Sequence, residues 1–255
     1  MKKITFIGAG NVATILSSEL KRKGFEIVEV WSKTEQSAIK LANKLSCNYS
    51  INMTKLKETD LFIVCVKDDF IKEVIDFISC YKVPVVHTSG SVDFEIFNTE
   101  NDYGVFYPLQ SFNKDIDISF KEIPICIEAN TTELERDLLH IANTISNSVQ
   151  LLNSEQRRQL HIAAVFASNF SNHMISISEK LMEENDMDFD LLKPLIENTF
   201  FKIKSNSPRK IQTGPAIRED YKVIEKHLAL LKNKDDLKII YSKISNHIKN
   251  NNFNE

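Results

Sequence analysis

The strongest chemical signal in the 255-residue chain is an apolar run that ends in Gly8-Ala9-Gly10-Asn11-Val12-Ala13 and passes directly into a helix-like segment. This spacing is a dinucleotide-binding fingerprint. Gly8 permits a tight turn, Gly10 lets backbone approach a pyrophosphate, and Ala13 is small enough for the helix to pack on a sheet. The helix start at Asn11 and Val12 presents unpaired N–H groups and a dipole that favour phosphate. The next apolar run, Glu26 to Trp31, ends in Ser32-Lys33-Thr34. NAD-specific proteins place a carboxylate there, whereas two hydroxyls and a cation suit a ribose 2′-phosphate, so NADP is expected over NAD. The plainer alternative makes Lys33 a solvated loop lysine and Glu29 unrelated.

Two further strand-like runs end in Val66-Lys67-Asp68-Asp69 and His87-Thr88-Ser89-Gly90-Ser91, where such a sheet presents groups to a ligand. Val66 and Lys67 are expected at the cofactor. Ser89, Gly90 and Ser91 are expected at substrate, the serines through their hydroxyls and Gly90 through close backbone approach. Ser91 alternatively caps a helix beginning at Val92, and His87 is equally well a hydrogen-bonded histidine at a strand end. Gln110, in Tyr107-Pro108-Leu109-Gln110-Ser111, either binds a polar substrate group or is a turn glutamine.

Gln159 to Ser178 contains no Asp, Glu, Lys or Arg. Counted at roughly 100° per residue, His161, Val165, Ser168, Asn169, Asn172 and Ser176 share one side, and Ala163, Phe166, Ala167, Phe170 and Met174 the other. Buried polar groups need partners, since one left unsatisfied costs about 1–3 kcal/mol. A cleft holding substrate would supply them, as would a polar network in a helical dimer core. His161 is the candidate general acid/base and Asn169 the candidate orienting group, while His173 lies off the stripe. Thr213-Gly214-Pro215-Ala216-Ile217-Arg218-Glu219-Asp220 reads as punctuation between two helices, with Arg218 and Asp220 opening the second.

The elements that would position these residues alternate in the first half. Strands are expected near 3–8, 26–31, 48–50, 60–66, 84–88, 104–109 and 123–128, with helices near 11–23, 35–45, 69–79, 92–98 and 132–144. Strands that are apolar on both faces, such as Leu61 to Val66, indicate a covered parallel sheet. After a last strand near 148–152 the pattern is helical only, near 154–185, 188–205, 218–232 and 235–249. The expected class is α/β, a Rossmann-type doubly wound sheet over residues 1–152 followed by an all-α domain over 153–255. The Asn-rich end, 250–255, is expected to fray.

A net charge of −3 argues against a nucleic-acid partner. The widely spaced Cys47, Cys65, Cys80 and Cys126 signal neither zinc nor a disulfide framework, and are expected to be reduced and mostly buried. The uncharged helix is too polar to span a membrane, and no signal-peptide pattern opens the sequence, so a cytoplasmic protein is expected. Burial of that helix is easier against a second subunit, which predicts a homodimer.

Taken together, GAGNVA at 8–13, HTSGS at 87–91, YPLQSF at 107–112, HIAAVFASNFSNH at 161–173 and TGPAIRED at 213–220 resemble the Rossmann-like proteins that carry a DUF2520 domain. The resemblance covers nearly the whole chain. More distantly the chain is similar to pyrroline-5-carboxylate reductase and to the 3-hydroxyisobutyrate and 6-phosphogluconate dehydrogenases. It implies a helical second domain of the 6-phosphogluconate dehydrogenase type, often dimerising, and a small-molecule substrate in an interdomain cleft. The hydroxyacid dehydrogenases place a catalytic lysine early on the long interdomain helix, and this chain has none between Gln159 and Ser178. The expected activity is NADP-dependent hydride transfer to or from a small carbonyl, imine or hydroxyl carbon. The alternative is a module that binds or senses NADP(H) without catalysis. Reduction of a deazaflavin is a third, less favoured reading.

Overall fold

The computed structural model describes residues 1–97, 99–116 and 118–250. It divides into two compact units, Met1–Met174 and Ile175–Glu255. The first is built on an eight-stranded sheet, β1 (Lys3–Ile7), β2 (Glu26–Trp31), β3 (Asn48–Ser50), β4 (Leu61–Val64), β5 (Val85–His87), β6 (Tyr103–Pro108), β7 (Ile125–Ala129) and β8 (Val149–Leu151). Their order is β3-β2-β1-β4-β5-β6-β7-β8. The order reverses between β1 and β4, and that switch point opens a crevice at the strand ends.

Local chemistry accounts for the layers. All of β4 is buried, as its unbroken apolar sequence requires when helices cover both faces. Helix α1 (Asn11–Arg22) buries Ala13, Leu16 and Leu20, and α2 (Glu35–Leu45) buries Ala38, Leu41, Ala42 and Leu45. Helix α3 (Asp68–Ile78) opens on Asp68 and Asp69, carboxylates that suit its N-terminal dipole. Helix α4 (Thr132–Ile145) packs Leu134, Leu138 and Ile141 into the core beneath β6 and β7.

Four expectations are corrected. Strand β7 runs antiparallel to β6, because Leu109 to Pro124 returns the chain without a crossover helix; β8 then pairs parallel to β7. The helix expected at 92–98 is a single 3₁₀ turn, Phe94–Ile96, and Asn98 lies outside the described residues. Only Cys126 among the four free cysteines is buried; Cys80 is exposed, and Cys47 and Cys65 are intermediate. The long uncharged helix is interrupted: α5 (Ser154–Ala164) passes through a π-helical turn, Val165–Phe170, into α6 (Ser171–Glu183).

The second unit holds α7 (Lys193–Ile203), α8 (Tyr221–Leu230) and α9 (Asp235–Asn250). Arg218 stands before α8, whose N-cap is Asp220, accepting from the Val223 N–H at 3.4 Å. The boundary between compact units therefore lies inside α6, beyond the start of the helical region at 153. The expected frayed end from 251 onward lies outside the described residues. Among the described residues no helix is long and apolar enough to cross a membrane, and no group of three or more His, Cys, Asp or Glu could hold a metal.

Candidate functional site

At the switch point a cavity of about 610 Å³ is lined by Gly8, Ala9, Gly10, Ser32, Lys33, Thr34, Val66 and Lys67 among others. Seven of the ten cofactor-site residues expected from sequence are thus gathered at one crevice; Asn11, Val12 and Ala13 open α1 beside it, Ala13 buried. Gly8 has φ +121°, and a Cβ there would stand 2.4 Å from the Cys65 carbonyl oxygen. The fold itself demands this glycine. A Cβ on Gly10, by contrast, would meet nothing within 4 Å, so that backbone faces open space. Gly10 is the N-cap of α1 and no side chain caps the helix, which leaves its first N–H groups for an anion. The Asn11 amide turns away and donates to the Phe112 carbonyl at 3.0 Å.

Around the rest of this crevice, Lys33 Nζ lies 5.6 Å from the Phe70 ring centroid, a cation and an aromatic face on one wall. The Ser32 hydroxyl accepts from the Thr34 N–H at 3.3 Å and shapes the turn that presents Lys33. Glu29 is buried and accepts from the Lys57 N–H at 3.0 Å; it does not line the cavity. The Cys65 thiol is pushed up to about 12 by burial, against a smaller opposing effect of the Thr88 hydroxyl, so it stays a thiol.

A second cavity of about 620 Å³, wholly within Met1–Met174, lies between the β6 rim and the uncharged helix. His161, Asn169, Ser168 and Gln110 line it together. Ala163 and Ala167 line it too, although the 100° count put them on the opposite side. For Ala167 the π-helical turn is the reason, because i→i+5 pairing widens the turn and changes the angular phase; Ala163 precedes that turn and reaches the cavity from α5 itself. Ser111 and Ser168 hydroxyls lie 2.9 Å apart and tie the loop to this turn.

Helix α5 reaches that position through a buried anchor. Asn153 and Gln156 form a capping box, fixing where the helix starts. One turn before His161, the Arg157 guanidinium is 1% exposed; it pairs with Glu128 at the end of β7 and donates to the Val92 carbonyl. Ser154 donates to Glu128 from its backbone at 3.0 Å and from its hydroxyl at 2.9 Å. This network clamps the end of β7, the loop after β5 and α5 together.

The segment after β5 is held by its own hydrogen bonds and by its contact with α5. Gly90 packs against the helix: a Cβ there would stand 2.5 Å from His161 Nδ1 and 2.7 Å from Tyr107 Cζ. The Ser89 hydroxyl accepts from the N–H groups of Ser91 and Val92, both at 3.1 Å, and Ser91 donates to Asp68. Neither serine lines the second cavity with Gln110. His87 is fully buried, accepts from the Ser89 N–H at 3.2 Å and stacks on Phe97; burial and then the Arg157 charge push it down to about 3. It is a neutral structural imidazole.

Sequence reasoning missed Arg157 and Tyr107. An arginine in a helix reads as solvated, and a tyrosine before a proline reads as packing. The one available hint was the spacing Arg157-x-x-x-His161, which stacks the two on one helix face.

Comparison with known proteins agrees with this fold. Residues 3–86 match the family described as NADP oxidoreductase, coenzyme F420-dependent, and residues 123–248 match the domain of unknown function DUF2520. A solved protein of Bacteroides fragilis, provisionally named an NADP oxidoreductase, shares 41% identity over 98% of both chains with a TM-score of 0.93. The chain belongs to this DUF2520 family of Rossmann-like NADP oxidoreductases. Membership makes it an oxidoreductase of the NADP-using class. The fold extends to a Thermotoga maritima protein at 23% identity, covering 97% of this chain and 98% of that one, TM-score 0.80. It extends further to a pyrroline-5-carboxylate reductase of Coxiella burnetii at 16% identity over 95% of both chains, TM-score 0.58. No curated protein matches the chain by sequence.

For a DUF2520 oxidoreductase the first cavity fits its cofactor. Open space before Gly10, an uncapped α1 and the Lys33 cation at the end of β2 meet the demands of a pyrophosphate and a third phosphate.

Proposed function

We propose that the protein is an NADP(H)-dependent reductase or dehydrogenase acting on a small carbonyl, imine or hydroxyl carbon. Gly8, Gly10, Asn11, Val12 and Ala13 would hold the pyrophosphate. Ser32, Lys33 and Thr34 would hold the 2′-phosphate, and Val66 and Lys67 would border the nucleotide. When bound, the nicotinamide supplies or accepts a hydride. His161 would move the accompanying proton, Asn169 and Gln110 would orient the substrate, and Ser89, Gly90 and Ser91 would shape the wall behind them. Residues 1–152 then carry nucleotide binding, and 153–255 carry His161 and the subunit contact.

The observation that carries this reading is the second cavity, where His161, Ser168, Asn169 and Gln110 converge on about 620 Å³ of open volume. A module that only binds the nucleotide would not need this second space. A homodimer belongs to the same reading, supported by α7, α8 and α9, none of which buries a residue. Four free thiols suit a reducing, cytoplasmic setting.

The test is a parallel titration of NADPH and NADH against the wild type and Lys33→Ala. NADPH is expected to bind the more tightly and to weaken about 10-fold, or about 1.4 kcal/mol, in the variant, with NADH little changed. A carbonyl and imine screen then follows, in which His161→Ala slows turnover. Failure of both nucleotides to bind would remove the oxidoreductase reading.

A further inference from the structure

The Tyr107 hydroxyl lies 3.0 Å from His161 Nδ1, and the rings meet edge to face at 5.9 Å between centroids. Tyr107 is 8% exposed, and its hydroxyl has no other hydrogen-bond partner among the described residues. A buried hydroxyl must place its proton on an acceptor, and Nδ1 is the acceptor within reach. Were Nδ1 to carry a proton instead, two donors would face each other or the phenol proton would have to turn into the second cavity, which Tyr107 also lines, away from the one protein acceptor within reach. Nδ1 is therefore the lone-pair nitrogen and Nε2 bears the hydrogen. His161 borders the second cavity, and Nε2 makes no hydrogen bond within the described residues.

We infer that Tyr107 is a positioning residue that fixes His161 as its Nε2–H tautomer, so that the site receives substrates presenting an uncharged acceptor, a carbonyl oxygen or an unprotonated imine nitrogen. This rests on His161 being the proton donor of the function proposed above. A protonated iminium is disfavoured, because its N–H would oppose Nε2–H. Gly90 belongs to the same device, since any Cβ there would push into both partners at 2.5 and 2.7 Å.

The proton balance is closed within the pair. As the acceptor atom gains negative charge it takes the Nε2 proton, so one N–H bond breaks and one bond to the substrate atom forms. The Tyr107 proton arriving at Nδ1 keeps the ring neutral as its other tautomer and leaves the charge on the phenolic oxygen; the starting pair returns when solvent protonates Nε2 and Nδ1 hands its proton back to the phenolate. Burial pushes the Tyr107 phenol up to about 12, the nearby Cys126 adds to that, and the Arg157 charge opposes it. It remains a stronger acid than an aliphatic alcohol, so the transfer to an alkoxide runs downhill.

The test needs no substrate. Long-range ¹⁵N–¹H spectra of the imidazoles are recorded above the ordinary imidazole range, with His161→Gln to assign the ring. The wild type is expected to show a pyridine-like Nδ1, a pyrrole-like Nε2 and a downfield Tyr107 hydroxyl proton. Tyr107→Phe should move both His161 nitrogens toward the tautomer average, and Gly90→Ala should abolish the hydroxyl signal while both rings remain. A protonated Nδ1 in the wild type, or His161 nitrogens unmoved in Tyr107→Phe, overturns the inference. NADPH binding is measured in the same wild-type sample: its absence would remove the oxidoreductase reading, whereas the tautomer result stands or falls on the spectra alone.

Discussion

In Met1–Met174 the central strands are sealed, with Ile4, Phe6, Leu61, Phe62, Ile63 and Val86 all at 0% exposure; in Ile175–Asn250 Ala216 is the one buried residue described. The helical unit is not short of apolar side chains. Leu191, Leu195, Phe201, Leu230 and Ile239 are all more than three-fifths exposed. Burying each fully would contribute roughly 1.5–3 kcal/mol. The difference teaches that the first unit carries its own core, while the second leaves large apolar side chains exposed, the surface that the homodimer proposed above would cover.

The largest expected effect breaks this comparison at the helical unit. The wild type should be a dimer by light scattering, and Phe201→Asp with Leu230→Asp should give monomer and a loss of helical ellipticity. A monomeric wild type whose unfolding is unchanged by the two charges would dissolve the contrast. Next in size is Arg157→Ala in the sealed unit. It strands Glu128 and should cost about 3–5 kcal/mol in urea unfolding, with Arg157→Met, which keeps the stem, no better than partly restored. A change below 1 kcal/mol, well under that range, would show the clamp to be dispensable.

Within any one pH unit the effect of His87 is smaller, and it sharpens the contrast through pH. His87 is pushed down to about 3 from an ordinary 6.5, so between those values the unfolded chain holds a proton that the folded one refuses. Stability from neutral His87 is complete above 6.5 and is lost as the pH falls toward 3, at up to about 1.4 kcal/mol per pH unit. His87→Asn, whose amide oxygen still accepts from Ser89, should flatten that slope; an unchanged slope would assign it to other groups.

Much of the sealed unit was legible because its strands are apolar on both faces and its helices keep a 3.6-residue period; β3 from Asn48 to Ser50 fell where expected. The direction of β7 was not legible, since a strand's sequence does not record its partner's polarity and Leu109 to Pro124 carries no helical period. The crevice at the switch point could be read from Gly8 and Gly10 together with the strand ends at Ser32-Lys33-Thr34 and Val66-Lys67, whereas the Tyr107–His161 pair joins residues 54 apart in sequence and exists only after folding. The helical unit showed its amphipathic periods plainly. What covers those faces is not written in the chain as a local pattern.

The π-helical turn at Val165–Phe170 also has a meaning in the currency of insertions and deletions. Such a turn holds one residue more than an α-helical turn needs. Removing a single residue from it would let the ladder close as a plain α-helix and swing Asn172 and His173 roughly 100° around the axis relative to His161. Relatives should therefore tolerate substitutions across this stretch far better than a change in its length, and alignments of the family should show a gap-free block running from Arg157 through His173.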